Sequence, residues 1–312
     1  MNANITYPHI ARMFYAEPLA LELQAMMTIH TWLWPRTTGQ IVDAAGLQPM
    51  NAAKSANSVQ LGGFNAHRRR TFAMPSTDGF GSVTDDRYYW SVEGREDIAV
   101  IPISGMIMKG ASSFEESCFG AVSTERIGHA LQQAVSAKEV RHIVLDISSP
   151  GGRVTGVKEL GEKIAAATQV RGKTVSAFTE ELVASAAYWL ASQADQILTT
   201  SSGSLGSIGT YLAFFNESVA MQTKGIKLEV FRQGKHKALG LPGMDLTQED
   251  RQYLQDGVNK INAQFVAAVR AGRGKVSEEA VTDAKVYDGP GAIAQGLADG
   301  LVSSWEEFIS LL

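Results

Sequence analysis

From residue 98 onward, short apolar runs alternate with longer stretches whose apolar positions recur at helical spacing, the pattern of buried strands joined by crossover helices. It predicts strands at 98–103, 143–147, 174–178, 197–199 and 228–232, and helices over 124–137, 156–170, 184–194, 214–224 and 247–271. The run Ile143-Val144-Leu145 has no polar alternation, as expected of a strand covered on both faces. Upstream the pattern differs. Residues 9–46 read as one or two amphipathic helices, with Leu19, Leu21, Leu23, Met26, Met27, Ile29 and Trp32 as the apolar stripe and Pro35 as the break. Residues 50–96 are rich in Ser, Gly, Asn and Asp and show no sustained period, so they read as a linker or mobile arm. The cluster His67-Arg68-Arg69-Arg70 within them reads as a solvated charge patch. The organisation expected is a helical element over 1–49, an arm over 50–96 and an α/β domain over 97–312.

Composition narrows the classes of function. The chain has 312 residues, 45% of them hydrophobic and 19% charged, with a formal net charge of −4. That charge creates no field for nucleic acid or an anionic membrane, and neither is expected as a partner. Cys118 is the only cysteine, which excludes an intrachain disulfide and a cysteine-rich metal site. His9, His30, His67 and His129 show no metal-ligand spacing, so no metal and no cofactor is expected. The first residues lack the basic and apolar regions of a secretory signal. The apolar stretch 19–34 is interrupted by Glu22 and His30 and falls short of a membrane span. A cytoplasmic location follows as the expectation.

Three loops after predicted strands hold the candidate chemistry, where open α/β sheets place their ligands. In Pro150-Gly151-Gly152 the glycines let a substrate approach the main chain, so that an N–H can meet a developing oxyanion. In Val183-Ala184-Ser185-Ala186-Ala187 a hydroxyl stands among small residues at the mouth of a helix, where the Ala186 N–H offers a second donor. In Gly234-Lys235-His236-Lys237-Ala238-Leu239 a lysine precedes apolar residues, and a lysine amine can act as base where such surroundings favour its neutral form. Each loop also has a plain structural explanation: a strand-to-helix turn, a helix-capping serine, a surface charge. A serine–histidine pair would need His236 or His142, and no aspartate has a motif that would orient either.

Pro150-Gly151-Gly152, Ala184-Ser185-Ala186-Ala187-Tyr188, Gly206-Ser207-Ile208-Gly209 and Gly234-Lys235-His236-Lys237, in that order, resemble the signal peptide peptidase A family of serine peptidases, family S49. The segment Tyr287-Asp288-Gly289 with Ala292, Ala294, Gly296, Leu297 and Asp299 resembles that family's closing stretch. The resemblance covers roughly residues 97–305. It implies an α/β fold with a ClpP/crotonase-like parallel sheet core and crossover helices, here with an N-terminal helical extension. It implies Ser185 as nucleophile, Lys237 as general base, Ser207 as the hydroxyl that orients the lysine, and Gly152 and Ala186 as the oxyanion N–H donors. It also implies a homo-oligomer, in which serine and lysine can come from neighbouring subunits. Ala238 stands where the family usually has an acidic residue, and Ala186-Ala187 where it usually has glycines; both departures bear on substrate fit. Within the family, Ala11-Arg12-Met13-Phe14 followed by Pro18-Leu19-Ala20 is most similar to the phage head-maturation proteases. The polypeptide substrates this implies are scaffold, portal or capsid proteins and the chain itself. The rival readings are a bacterial signal-peptide peptidase, a crotonase-like acyl-CoA enzyme and a non-catalytic scaffolding protein.

Overall fold

The computed structural model describes residues 19–21, 72–73, 88–111 and 120–312. Its centre is a sheet built on β4 (Arg95–Ser104), β7 (His142–Ser148), β9 (Thr174–Thr179) and β11 (Gln196–Thr199), paired in parallel in that order. At one edge β14 (Gly300–Leu301) adds in parallel to β11. At the other, β3 (Trp90–Val92) and β2 (Phe72–Ala73) add antiparallel, giving the order β14-β11-β9-β7-β4-β3-β2. The parallel core and its crossover helices are as the sequence pattern predicts.

The apolar runs lack alternation because both faces of this sheet are covered. Ala99, Ile101 and Ile103 of β4, Ile143, Leu145 and Ile147 of β7, and Val175 and Ala177 of β9 enter one core. Three helices close that face: α1 (Thr124–Ser136), α2 (Val157–Thr168) and α3 (Ala186–Ala191). The alternate residues Ile98, Val100, Val144, Phe178 and Leu198 pack on Trp305 and Phe308 of α8 (Trp305–Ser310), with Phe178 stacked on Phe308 at 4.6 Å. Each fully buried large side chain of this kind contributes roughly 1.5–3 kcal/mol.

Two small sheets stand beyond the carboxyl ends of the central strands. One has the order β1-β8-β5-β6, from Leu19–Leu21, Gly151–Arg153, Ile107–Met108 and Val122–Ser123. The other joins β10 (Leu182–Ala184), β12 (Ser204–Gly206) and β13 (Val286–Asp288). The remaining helices are α4 (Ser218–Thr223), α5 (Gln248–Gly272), α6 (Glu278–Thr282) and α7 (Gly289–Ala294). Thr247 and Asp250 form a reciprocal capping box at the start of α5.

Three local expectations are corrected. Leu19–Leu21, expected in a helix, is a strand on β8; it follows Pro18, and the pairing supplies its main-chain hydrogen bonds from outside the segment. The rest of the expected 9–46 helices lies outside the described residues. The sheet also begins before residue 97, since β2, β3 and the first residues of β4 fall within the expected arm. β3 and β4 form a hairpin through Glu93-Gly94, where Val92 faces Arg95 and Gly94 takes φ 73°, a turn too short to leave a period in the sequence. The strand expected at 228–232 is absent: residues 226–232 are irregular and exposed, with Phe231 95% exposed. Among the described residues nothing buries this apolar stretch.

Candidate active site

The parallel strands deliver their loops to one end of the sheet. β7 runs into Ser149, which leaves the central sheet and bridges in parallel to Val183 of β10. The Ser149 N–H donates to the Leu182 carbonyl at 2.8 Å, and the Ala184 N–H donates to the Ser149 carbonyl at 3.1 Å. This splice sets the turn Pro150-Gly151-Gly152 beside the residue that follows Ala184, which is Ser185. The Ser149 hydroxyl is fully buried; it donates to the Gly105 carbonyl at 2.6 Å and accepts from the Gly151 N–H at 3.1 Å. Gly152 lies in β8 so close to β5 that a Cβ there would stand 2.0 Å from the Ile107 carbonyl oxygen. Only glycine fits.

Ser185 is the N-cap of α3, with φ 56° and ψ −120°, a conformation that a residue with a Cβ adopts at a cost. Its side chain caps no helix N–H, so the capping explanation fails. Two main-chain bonds hold the conformation: the Ser185 N–H donates to the Gly206 carbonyl at 2.8 Å, and the Trp189 N–H donates to the Ser185 carbonyl at 2.9 Å. The Ser185 hydroxyl makes a long 3.4 Å contact to the Gly209 carbonyl. Ala186 opens α3, whose first N–H groups lack intrahelical acceptors.

All six residues of α3 are buried, so the helix is fixed from every side. Trp189 stacks on Phe265 of α5 at 4.7 Å, and the Tyr188 hydroxyl donates to the Leu297 carbonyl at 2.9 Å. Burial holds the Tyr188 phenol far above its ordinary range, which keeps it a neutral anchor.

Ser207 lies beside Ser185. β10 and β12 pair in parallel with Ala184 opposite Gly206, so the two serines leave the ladder at the same point. Ser207 also has positive φ, 54°, and its N–H donates to the Lys285 carbonyl at 2.7 Å. The four positions Gly152, Ser185, Ala186 and Ser207 are thereby gathered by β8, β10, α3 and β12.

Among the described residues Lys237 makes no hydrogen bond or ion pair to these four positions. It is exposed in the turn 234–240; its carbonyl accepts from the Arg232 guanidinium at 3.1 Å, and among the described residues its ammonium has no hydrogen-bond or ion-pair partner. Lys235 is exposed and paired with Glu249. The His236 ring stacks on Tyr253 at 4.0 Å, with Nδ1 3.6 Å from Asp250 Oδ1. That is too long for a hydrogen bond, and Asp250 is engaged in the α5 cap. His142 Nδ1 meets the Thr174 hydroxyl at 2.9 Å.

Sequence reasoning passed over Ser149 and the carbonyls of Gly206 and Gly209. Ser149 had a signal in the doubled Ser148-Ser149 before Pro150. The carbonyls had none, because every residue has one. Among the described residues no group of three or more His, Cys, Asp or Glu side chains could hold a metal, and no helix is long and apolar enough to cross a membrane.

Residues 167–311 match the family model of peptidase family S49. That stretch holds the loops at 184–188, 206–209 and 234–237, and the resemblance to the family that they carry is thereby shown. Among its relatives, capsid assembly protease C of Escherichia phage lambda is 32% identical over 299 residues, covering 95% of this chain and 63% of that protein. The head-tail preconnector protein GP5 of Enterobacteria phage P21 is 31% identical over 235 residues, covering 74% of this chain and 46% of that protein. The chain thus spans about half to two thirds of the length of these relatives. A ClpP1 variant from Listeria monocytogenes aligns with a TM-score of 0.40 and 14% identity, over 67% of this chain and 93% of that structure.

Proposed function

We propose that the chain is a serine endopeptidase with a Ser185–Lys237 dyad that cleaves scaffold, portal or capsid proteins, and itself, during phage or prophage head maturation, in the host cytoplasm or inside the procapsid. One observation carries the reading: Ser185, which has a Cβ and caps nothing, is held at φ 56° beside the Gly152 strand. Such conformations persist where function requires them. The phage relatives' names support the substrate class.

In the proposed cycle the Lys237 amine accepts the Ser185 proton as the hydroxyl oxygen attacks a peptide carbonyl, and the Gly152 and Ala186 N–H groups hold the oxyanion. The lysine then protonates the leaving amine, and water repeats the sequence on the acyl-enzyme. Ser207 positions the lysine amine. Lys237 reaches Ser185 when copies of the chain assemble: the segment that carries it exposes Ile226, Leu228, Val230, Phe231 and Leu241, an apolar surface suited to burial against a neighbouring subunit.

The test is labelling by a fluorophosphonate probe together with hydrolysis of a quenched peptide library. Labelling of Ser185 that is lost in Ser185→Ala, with hydrolysis lost in parallel, is the expected result. Hydrolysis undiminished in purified Ser185→Ala would sink the proposal.

A further inference from the structure

β8 has two lateral edges. One pairs with β5, where Gly152 faces Ile107. The other carries β1, antiparallel, with Leu19 opposite Arg153, Ala20 opposite Gly152 and Leu21 opposite Gly151. Two of the three residues of β8 are glycines, so what the Gly151-Gly152 part of this edge offers a ligand is its main-chain N–H and C=O groups. Surfaces of that kind capture extended peptides by adding them as a strand.

The position of that edge gives it meaning. The Gly151 end of β8 is spliced to the nucleophile's strand by the Ser149 bridge to Val183 and the Ala184 N–H bond to Ser149. A peptide whose carbonyl carbon meets Ser185, with its oxygen on the Gly152 N–H, must lay its neighbouring residues along the free edge of β8. The segment 19–21 lies along that edge. Its central residue, opposite the oxyanion glycine, is alanine.

We propose that Leu19–Leu21 is the resident occupant of the peptide-binding edge, so that the chain holds its own cleft in cis and a polypeptide substrate enters by displacing this strand. The inference rests on Ser185 and Gly152 as the reacting site. A strand of three residues makes few main-chain hydrogen bonds, each of modest net strength. What lets it compete is its tether, which presents it at a high effective concentration. The block is therefore displaceable, and its loss lowers the apparent KM for peptides with kcat unchanged.

The experiment uses the full chain with Cys118→Ser, Leu19→Cys and Arg153→Cys. Facing residues of an antiparallel pair lie within disulfide reach. Binding of a fluorescein-labelled synthetic peptide of residues 14–26 is measured by anisotropy with Ser185→Ala added, and hydrolysis is measured with Ser185 present. The expected results are an intrachain disulfide on mild oxidation, peptide binding at least tenfold weaker when oxidised than when reduced, and recovery with dithiothreitol. In a separate chain, Ala20→Pro removes a main-chain donor and should tighten binding several-fold. Failure to form the disulfide, a disulfide joining two chains, or equal peptide binding in the two redox states would each overturn the assignment. A chain that switches peptide binding with redox state but hydrolyses nothing in any form would refute Ser185 as nucleophile and leave the occupant of the edge established.

Discussion

Ser185 carries a backbone conformation that costs a residue with a Cβ about 1–3 kcal/mol, and its side chain offsets none of this by capping α3. The strain should therefore be measurable. Ser185→Gly is expected to abolish hydrolysis while raising stability by about 1 kcal/mol relative to Ser185→Ala in urea titrations, because glycine adopts φ 56° without the Cβ penalty. Gly152 makes the opposite demand. Gly152→Ala sets a Cβ 2.0 Å from the Ile107 carbonyl oxygen, so β8 and β5 must part and the candidate oxyanion donor moves. The expectation is a fall in kcat of about a hundredfold or more, with a lowered urea midpoint.

At the scale of the elements, the two-sided sheet makes core residues costly to trim. Phe178 is buried in β9 against Phe308 and Trp305, and Phe178→Ala should cost roughly 3–5 kcal/mol, read from denaturant unfolding. Electrostatics tie the element ends. The side-chain hydrogen bond from Arg95 is the largest cause holding the Asp97 carboxyl down to about 2, with a hydrogen bond from Arg141 adding to it. The Gly110 N–H is the largest cause holding Glu125, in the first turn of α1, down to about 2, helped by the Ser123 hydroxyl. Both folded pKa values lie below those of the unfolded chain, so both groups add stability above about pH 4 and lose it as pH falls from about 4 to 2. Asp97→Asn should flatten that acid limb by about 1 kcal/mol after allowance for solvent screening, read from Tm against pH. An unchanged limb would show that the pairs at the start of β4 contribute nothing.

At the scale of the whole molecule, the proposed assembly of copies would account for both the exposed turn of Lys237 and the exposed apolar residues before it. Mixing Ser185→Ala with Lys237→Ala tests this. If each site takes its serine and lysine from neighbouring copies, co-refolded mixtures should recover about a quarter of wild-type hydrolysis by random assembly, whereas each variant alone gives none. No recovery would place both residues in one chain. Phe231→Asp should shift the chain to smaller species in sedimentation and lower activity in proportion.

Much of the α/β half of the fold was legible in the chain. Apolar runs without alternation identified the central strands, because a sheet covered on both faces requires them. Gly152 and Ser185 stood in glycine- and alanine-lined loops after predicted strands, and Ser207 entered only through the family resemblance. Three features were decided only by tertiary structure. Ser185's positive φ depends on the Gly206 carbonyl and the buried seat of α3, which no local propensity encodes. The strand at Leu19–Leu21 exists because β8 has an open edge to pair with; alone, the same residues fit a helical stripe equally well. Residues 228–232 have the alternation of a strand but no strand partner among the described residues. Side-chain pattern specifies which face a residue can bury, and only the assembled fold supplies, or withholds, the surface that buries it.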